Sequence, residues 1–196
     1  MVPVSIEARR HDLLEAAFRD VHAARLHGFA LLVTLGDRAA ATTIASRVMA
    51  EGSRRATELR HPERAAAWLR ARVVRLLART RIAPPGLSRD ERCATTGALG
   101  APSFVFSALE ALTAEQRIAV VAGEIERFDA MDVATILGRG VVEAREIAMR
   151  ARADYVAAAL AAMAQPGEEV ELPAGPIAVR VLSDAARTLG GQPGSA

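Results

Sequence analysis

Arginine is the one chemistry-bearing residue this chain carries in quantity. All 25 basic residues are Arg and none is Lys, so a P-loop lysine and a Schiff-base lysine are both excluded. Arg54, Arg55, Arg60, Arg64, Arg70, Arg72, Arg75, Arg79 and Arg81 crowd one stretch. Such a stretch either attracts phosphates in a salt-sensitive way or serves as a solvated helix face. Residues 1–92 hold 17 Arg against 10 acidic residues, whereas residues 93–196 hold 8 against 13. A formal net charge of +2 therefore divides into +7 and −5.

Other reactive types are sparse. One cysteine, Cys93, can form neither an internal disulfide nor a multi-cysteine zinc site, which fits a reducing compartment. His11, His22, His27 and His61 include no pair four residues apart, the spacing a zinc-binding helix uses. Glu124, Glu126, Asp129 and Asp132 flank an expected helix junction, where carboxylates cap helices more readily than they collect a metal. Cys93 has no base nearby in sequence, and Ser103 and Ser107 have no triad context. The expectation is a chain without enzymatic activity, cofactor or metal.

The elements that would position the arginines are helical, giving an all-α fold. From Ile6 to about Leu35, the residues Leu13, Leu14, Ala17, Phe18, Val21, Ala24 and Leu26 recur at helical spacing and predict one buried stripe. Gly36-Asp37 marks a turn. A second helix follows from Arg38 to Glu51, ending near Gly52, with Ala41, Ile44, Ala45, Val48 and Met49 inward. His61-Pro62 opens a third, packed through Trp68, Leu69, Val73, Leu76 and Leu77. Residues 83–103 are rich in Pro, Gly, Ser and Thr and read as a linker between two small domains, 1–82 and 104–164. In the second domain a short helix spans 104–111, and Thr113 with Gln116 forms a capping box for a helix reaching about Arg127. Asp129 caps Ala130 to Leu137, Gly138 ends it, and a long helix runs from Val141 to Met163. Residues 165–196 form an extension with either a hairpin across Pro173 to Gly175 or a helix from Pro176 to Leu189. Ile177, Val179, Val181 and Leu182 would fold back on a domain, while Gly190 to Ala196 is expected to be disordered.

No run of about 18 uncharged apolar residues occurs, since even Gly28 to Leu35 is closed by Asp37 and Arg38. Glu7, Arg9, Arg10 and Asp12 precede any apolar stretch and argue against a cleavable secretory signal. A cytoplasmic protein without membrane contact is expected.

The segment Asp132-Val-Ala-Thr-Ile-Leu-Gly138 before a long helix fits a helix-turn-helix. Ala134 is small where two helices must approach, and Gly138 supplies a permissive turn residue four positions later. Val133, Leu137, Ala144 and Ile147 would point inward. An ordinary helical hairpin uses the same residue types.

On these motifs the chain resembles the extracytoplasmic-function group of bacterial sigma factors, over residues 8 to 163. Leu112, Gln116-Arg117, Ala134, Leu137-Gly138 and Arg150-Ala151-Arg152 are similar to that family's region 4. The Gly36-Asp37 turn and the Trp68-Leu69 helix resemble its region 2 in outline. The resemblance implies a transcription initiation factor that binds RNA polymerase core and promoter DNA, with an anti-sigma factor as a possible partner. Arg139, Arg145, Arg150 and Arg152 would contact DNA from the helix-turn-helix, and Arg72 and Arg75 from the first domain. Thr43, Ser46 and Arg47 occupy polymerase-binding positions; Thr43 and Ser46 stand where the family usually has an acidic residue and a Gln. Glu143 and Glu146 replace small polar residues on the recognition helix. Those replacements are what a diverged, non-initiating homologue would show, one acting as a protein-interaction module on polymerase or an anti-sigma factor.

Overall fold

Helical periodicity runs along most of the chain, and the computed structural model describes residues 6–59, 61–79 and 86–164. Over those residues it is all-helical, with α1 (Ile6–Val33), α2 (Arg38–Arg54), α3 (Pro62–Arg79), α4 (Arg89–Gly97), α5 (Ser103–Ala111), α6 (Ala114–Val120), α7 (Ala130–Leu137) and α8 (Val141–Met163). A π-helical turn, Val121–Ile125, continues α6. The C-terminal extension lies outside the described residues.

The first turn is built from backbone conformation. Leu35 and Gly36 have φ of +53° and +75°. Gly36 N–H donates to Leu31 O at 2.8 Å and Leu35 N–H to Leu32 O at 3.2 Å, a Schellman closure of α1. Asp37 then caps α2 by accepting from Ala40 N–H at 3.0 Å. Glycine is needed at 36 twice over: for its left-handed φ, and because a Cβ there would overlap the backbone carbonyl of Arg92 on α4.

The single buried stripe expected on α1 is corrected by the structure. Phe18 and Leu26 are buried, but Leu13, Leu14 and Val21 are 66%, 42% and 58% exposed, and Ala17 and Ala24 also face outward. The seven residues spread over two faces of a helix with 3.6 residues per turn, and the face turned away from its packing neighbours, α2 foremost, stays exposed. α2 ends at Arg54, close to the expected end near Gly52. Buried Gly52 is where Phe18 and Leu69 converge, and a Cβ would meet both side chains at 3.0 and 2.8 Å.

Within the stretch expected to be a linker, residues 89–97 form α4. Ser88 and Glu91 make a reciprocal capping box that sequence reading overlooked. Arg89 and Arg92 on this helix both pair with Glu110 of α5, at 2.8 and 3.3 Å. Beyond it the expected boundaries hold closely, with Thr113 and Gln116 capping α6 and Asp129 capping α7. The helix from Thr113 does not stay regular to Arg127, because the chain widens into the π-helical turn and closes with Arg127 at φ +65°. Buried apolar residues from Phe18 through Phe104 and Val121 to Tyr155 form one continuous cluster, and α3 packs directly on α7.

Candidate protein and nucleic-acid interface

A tight turn at Gly138 joins α7 to α8. Gly138 adopts φ +66° and ψ +37°. Arg139 N–H donates to Ala134 O at 3.0 Å and Gly138 N–H to Thr135 O at 3.3 Å. This Schellman closure lets α7 stop and α8 start within three residues. Ala134, Val133 and Ala144 are buried, Leu137 and Ile147 are half-buried against the core, and Ile136, not anticipated as inward, is 1% exposed. Alanine at 134 and 144 allows the close helix approach that the sequence pattern requires.

The outer face of this unit is nearly self-neutralised. Arg139 pairs with Glu115 at 2.8 Å and with Glu143 at 3.3 Å. Hydrogen bonding to Glu115 raises the Arg139 pKa above its ordinary value. Arg150 lies 3.6 Å from Glu146, a loose contact between exposed groups, and Arg152 lies 3.8 Å from Glu124. Exposed pairs of this kind are worth about 0–1 kcal/mol, so the arginines can be redirected to another partner. Among the described residues, exposed Arg145 has no carboxylate within ion-pair distance. Three large apolar side chains on α7 and α8 are exposed: Met131, Val142 and Met149, at 64%, 72% and 67%.

The Gln-Arg pair singled out by the resemblance has an internal role here. Gln116 completes the α6 cap and donates to Asp154 at 2.6 Å. Arg117 donates to Leu109 O at 2.8 Å, Leu112 O at 2.9 Å and Val33 O at 3.2 Å. One planar guanidinium thus satisfies carbonyls at the C-terminal ends of both α5 and α1. Burial pushes its pKa down from the ordinary arginine value.

In the first half, Arg72 bonds Glu51 at 2.7 Å, and Arg75 is exposed on the same helix. Trp68 is partly buried, with the Arg55 and Arg72 guanidinium carbons 5.3 and 5.9 Å from its ring centre. Two cations already stand over the ring, so it is not an open stacking platform. Thr43, Ser46 and Arg47 are all exposed on α2. Ser46 lines a shallow groove of about 500 Å³ between α1 and α2, together with Arg19, His27 and Met49.

Comparison with family models, curated proteins and solved structures gives no match. The interface therefore has to be read from its own geometry.

That geometry contains a seam which sequence reading missed. Arg70 of α3 is 2% exposed and donates to both oxygens of Glu126, at 2.6 and 2.8 Å. Its guanidinium carbon lies 5.8 Å from the Phe29 ring centre and 5.4 Å from that of Phe128. Glu126 sits between the π-helical turn and left-handed Arg127, so the irregular backbone aims its carboxylate across the seam. His22 is 5% exposed and lines the adjoining cleft of about 930 Å³ with Arg25, Arg70, Phe29, Phe128 and Asp129. Only the contrast between nearly all-apolar packing and one buried arginine betrays the seam, and 56 residues separate the partners. Among the described residues no group of three or more His, Cys, Asp or Glu is placed to hold a metal, and no helix is long and apolar enough to cross a membrane.

Proposed function

We propose that the chain is a sigma-like transcription protein that binds RNA polymerase core in the cytoplasm and reaches promoter DNA through α7 and α8 only when polymerase holds it there. The α7–Gly138–α8 unit carries this reading. It has the tight turn, the small buried residues and the arginine-bearing second helix that a DNA-reading helix-turn-helix needs. Arg139, Arg145, Arg150 and Arg152 would give phosphate contacts, but Glu143 and Glu146 on the same helix repel phosphates and keep unaided affinity low. Thr43, Ser46 and Arg47, exposed along α2, would be the polymerase contacts of the first half, with Arg72 and Arg75 nearest to melted DNA. No catalytic step is assigned to the chain.

A second reading is favoured by one observation. Pairing of Arg139, Arg150 and Arg152 with carboxylates, together with the exposure of Met131, Val142 and Met149 on α7 and α8, describes a protein-binding surface better than a polyanion-binding one. In that case the chain occupies polymerase or an anti-sigma factor without starting transcription. Binding to purified bacterial core polymerase, followed by run-off transcription from the promoter upstream of its own gene, separates the two. Core binding with run-off product supports initiation. Core binding without product supports the interaction module, failure to bind core removes initiation, and failure to bind core and an anti-sigma factor alike removes both.

A further inference from the structure

The outer face of α1 carries an apolar stripe that none of the described elements covers. Leu13, Leu14 and Val21 are large and exposed, and Ala17 and Ala24 beside them are exposed as well. At about 100° per residue these fall on one side of the helix, away from buried Phe18, Leu26 and Phe29 on the other. A soluble helix ordinarily sets one apolar face against the core and a polar one outside, so a second apolar face needs a cover of its own. The stripe runs on into the cleft of about 930 Å³, because Val21, Ala24 and Gly28 also line that cleft, and a Cβ at Gly28 would meet nothing within 4 Å.

We infer that residues 176–189 of the chain's own C-terminal extension cover this stripe as an amphipathic helix laid along α1. Pro176 suits the first turn of a helix. From there Ile177, Val181, Leu182, Ala185 and Leu189 fall within an arc of about 140°, with Arg180, Ser183 and Arg187 opposite. From Ile177 to Leu189 such a helix is about 18 Å long, and the stripe from Leu13 to Ala24 is about 17 Å long. α8 passes close to the end of α1 on its way to the extension: Asp154 accepts from Gln116 at 2.6 Å, and the next residue, Arg117, donates to Val33 O at 3.2 Å. Beyond α8 the residues from Ala164 to Pro176 span up to about 40 Å when extended, against about 14 Å along α1 from Val33 back to Ala24.

Charge selects this occupant over a second copy of the chain. Arg10 and Arg25 stand at the two ends of the stripe, and neither has an ion pair among the described residues. On one long edge Arg9 and Asp20 offset each other. Residues 165–196 carry Glu168, Glu169, Glu171 and Asp184 against Arg180 and Arg187, so the covering segment brings net negative charge to a basic margin. Two copies of α1 packed antiparallel would do the reverse. Leu14 and Val21 lie equally far from a point between Ala17 and Phe18, and so do Arg10 and Arg25. Matching Leu14 to Val21 of a second copy therefore sets arginine against arginine at both ends. In the free chain α1 and the mouth of the cleft are thus closed by the chain's own helix, which a partner using either has to displace. The inference holds whether or not that partner is polymerase.

Paired spin labels test it in the full-length chain. With Cys93→Ser as background, one label is placed at Ala16→Cys, exposed on α1 beside the stripe, and the other at Ser183→Cys, on the polar side of 176–189. Packed helices have axes about 8–10 Å apart, so the expected result is a single narrow distribution at short distance. Leu14→Asp with Val21→Asp, both at exposed sites, should broaden it to the spread of a free tether. Ile177→Asp with Val181→Asp should do the same while leaving every described residue unaltered. An equimolar mixture of the two singly labelled chains should show no dipolar coupling. A broad distribution in the parent chain, a narrow one that survives either pair of substitutions, or coupling in the mixture, which would assign the stripe to a second copy, would each overturn the inference.

Discussion

Removing the Arg70 side chain should cost more stability than removing any other arginine on α3. The guanidinium is 2% exposed, makes bonds of 2.6 and 2.8 Å to Glu126, and lies within 6 Å of two phenyl ring centres. Arg70→Ala leaves the Glu126 carboxylate, 16% exposed, facing Phe29 and Phe128 without its cation. Breaking a buried pair by removing one partner costs roughly 3–5 kcal/mol. Glu126 can turn partly toward water, which puts the expected loss near the lower end, about 3 kcal/mol. At about 2–4 °C per kcal/mol for a chain of this size, Tm should fall by roughly 6–12 °C. Urea unfolding at pH 7.5, where His22 is neutral, gives the free energy directly. Glu126→Ala should cost a similar amount, and the Arg70→Ala, Glu126→Ala double variant clearly less than the sum. Arg70→Met with Glu126→Leu should come back to within about 1 kcal/mol of the native chain, because apolar residues of similar size can replace a buried pair. An Arg70→Ala loss below about 1 kcal/mol at unchanged m-value, or single effects that simply add, would refute the reasoning.

Further outcomes follow from the same structure. Gly36→Ala should destabilise by about 1–3 kcal/mol through its left-handed φ alone, and by more through overlap with Arg92 O, as read by thermal unfolding. Arg117→Met strands carbonyls at the ends of α1 and α5 and should cost about 2–4 kcal/mol in urea unfolding; Arg117→Lys should rescue little, because an ammonium lacks the planar fork. Stability should also depend on His22 protonation. Its lowered pKa means the unfolded chain binds the proton more tightly, so the contribution is fully present above 6.5 and is lost as pH falls through the folded value. Unfolding free energies between pH 7.5 and 5 should therefore slope less in His22→Gln. For DNA, Arg145→Ala with Arg150→Ala should reduce the salt slope of duplex binding by roughly 1–2, whereas Glu143→Thr with Glu146→Ser should strengthen it; unchanged binding in both would remove α8 as the DNA-facing helix.

Local rules made most helices legible. Pro62, Thr113 with Gln116, Asp129 and Gly138 each set a helix boundary through their own backbone or side-chain chemistry, and the structure places those boundaries where they stand. The same chemistry was present and overlooked at Ser88 and Glu91, where surrounding Pro and Gly masked a capping box. Helical spacing on α1 showed that the helix exists but not which of its apolar faces would be covered, since that depends on where α2 and α3 lie. The α7–Gly138–α8 turn was readable because its determinants fall within a dozen residues. Arg70 and Glu126 were not, because their pairing depends on a π-helical turn and a left-handed arginine that no local propensity announces. Nor could composition show that Arg139, Arg150 and Arg152 would each have a carboxylate beside them.

Whether the chain works through polymerase is tested most directly by binding it, with a fluorescent label on Cys93→Ser, Ala153→Cys, to purified bacterial RNA polymerase core and separately to promoter duplex. The account predicts saturable one-to-one binding to core, weakened by charge reversal at Arg47 on α2, and duplex binding that at physiological salt is detectable only once core is added. Tight duplex binding without core, or no binding to core at all, would contradict it.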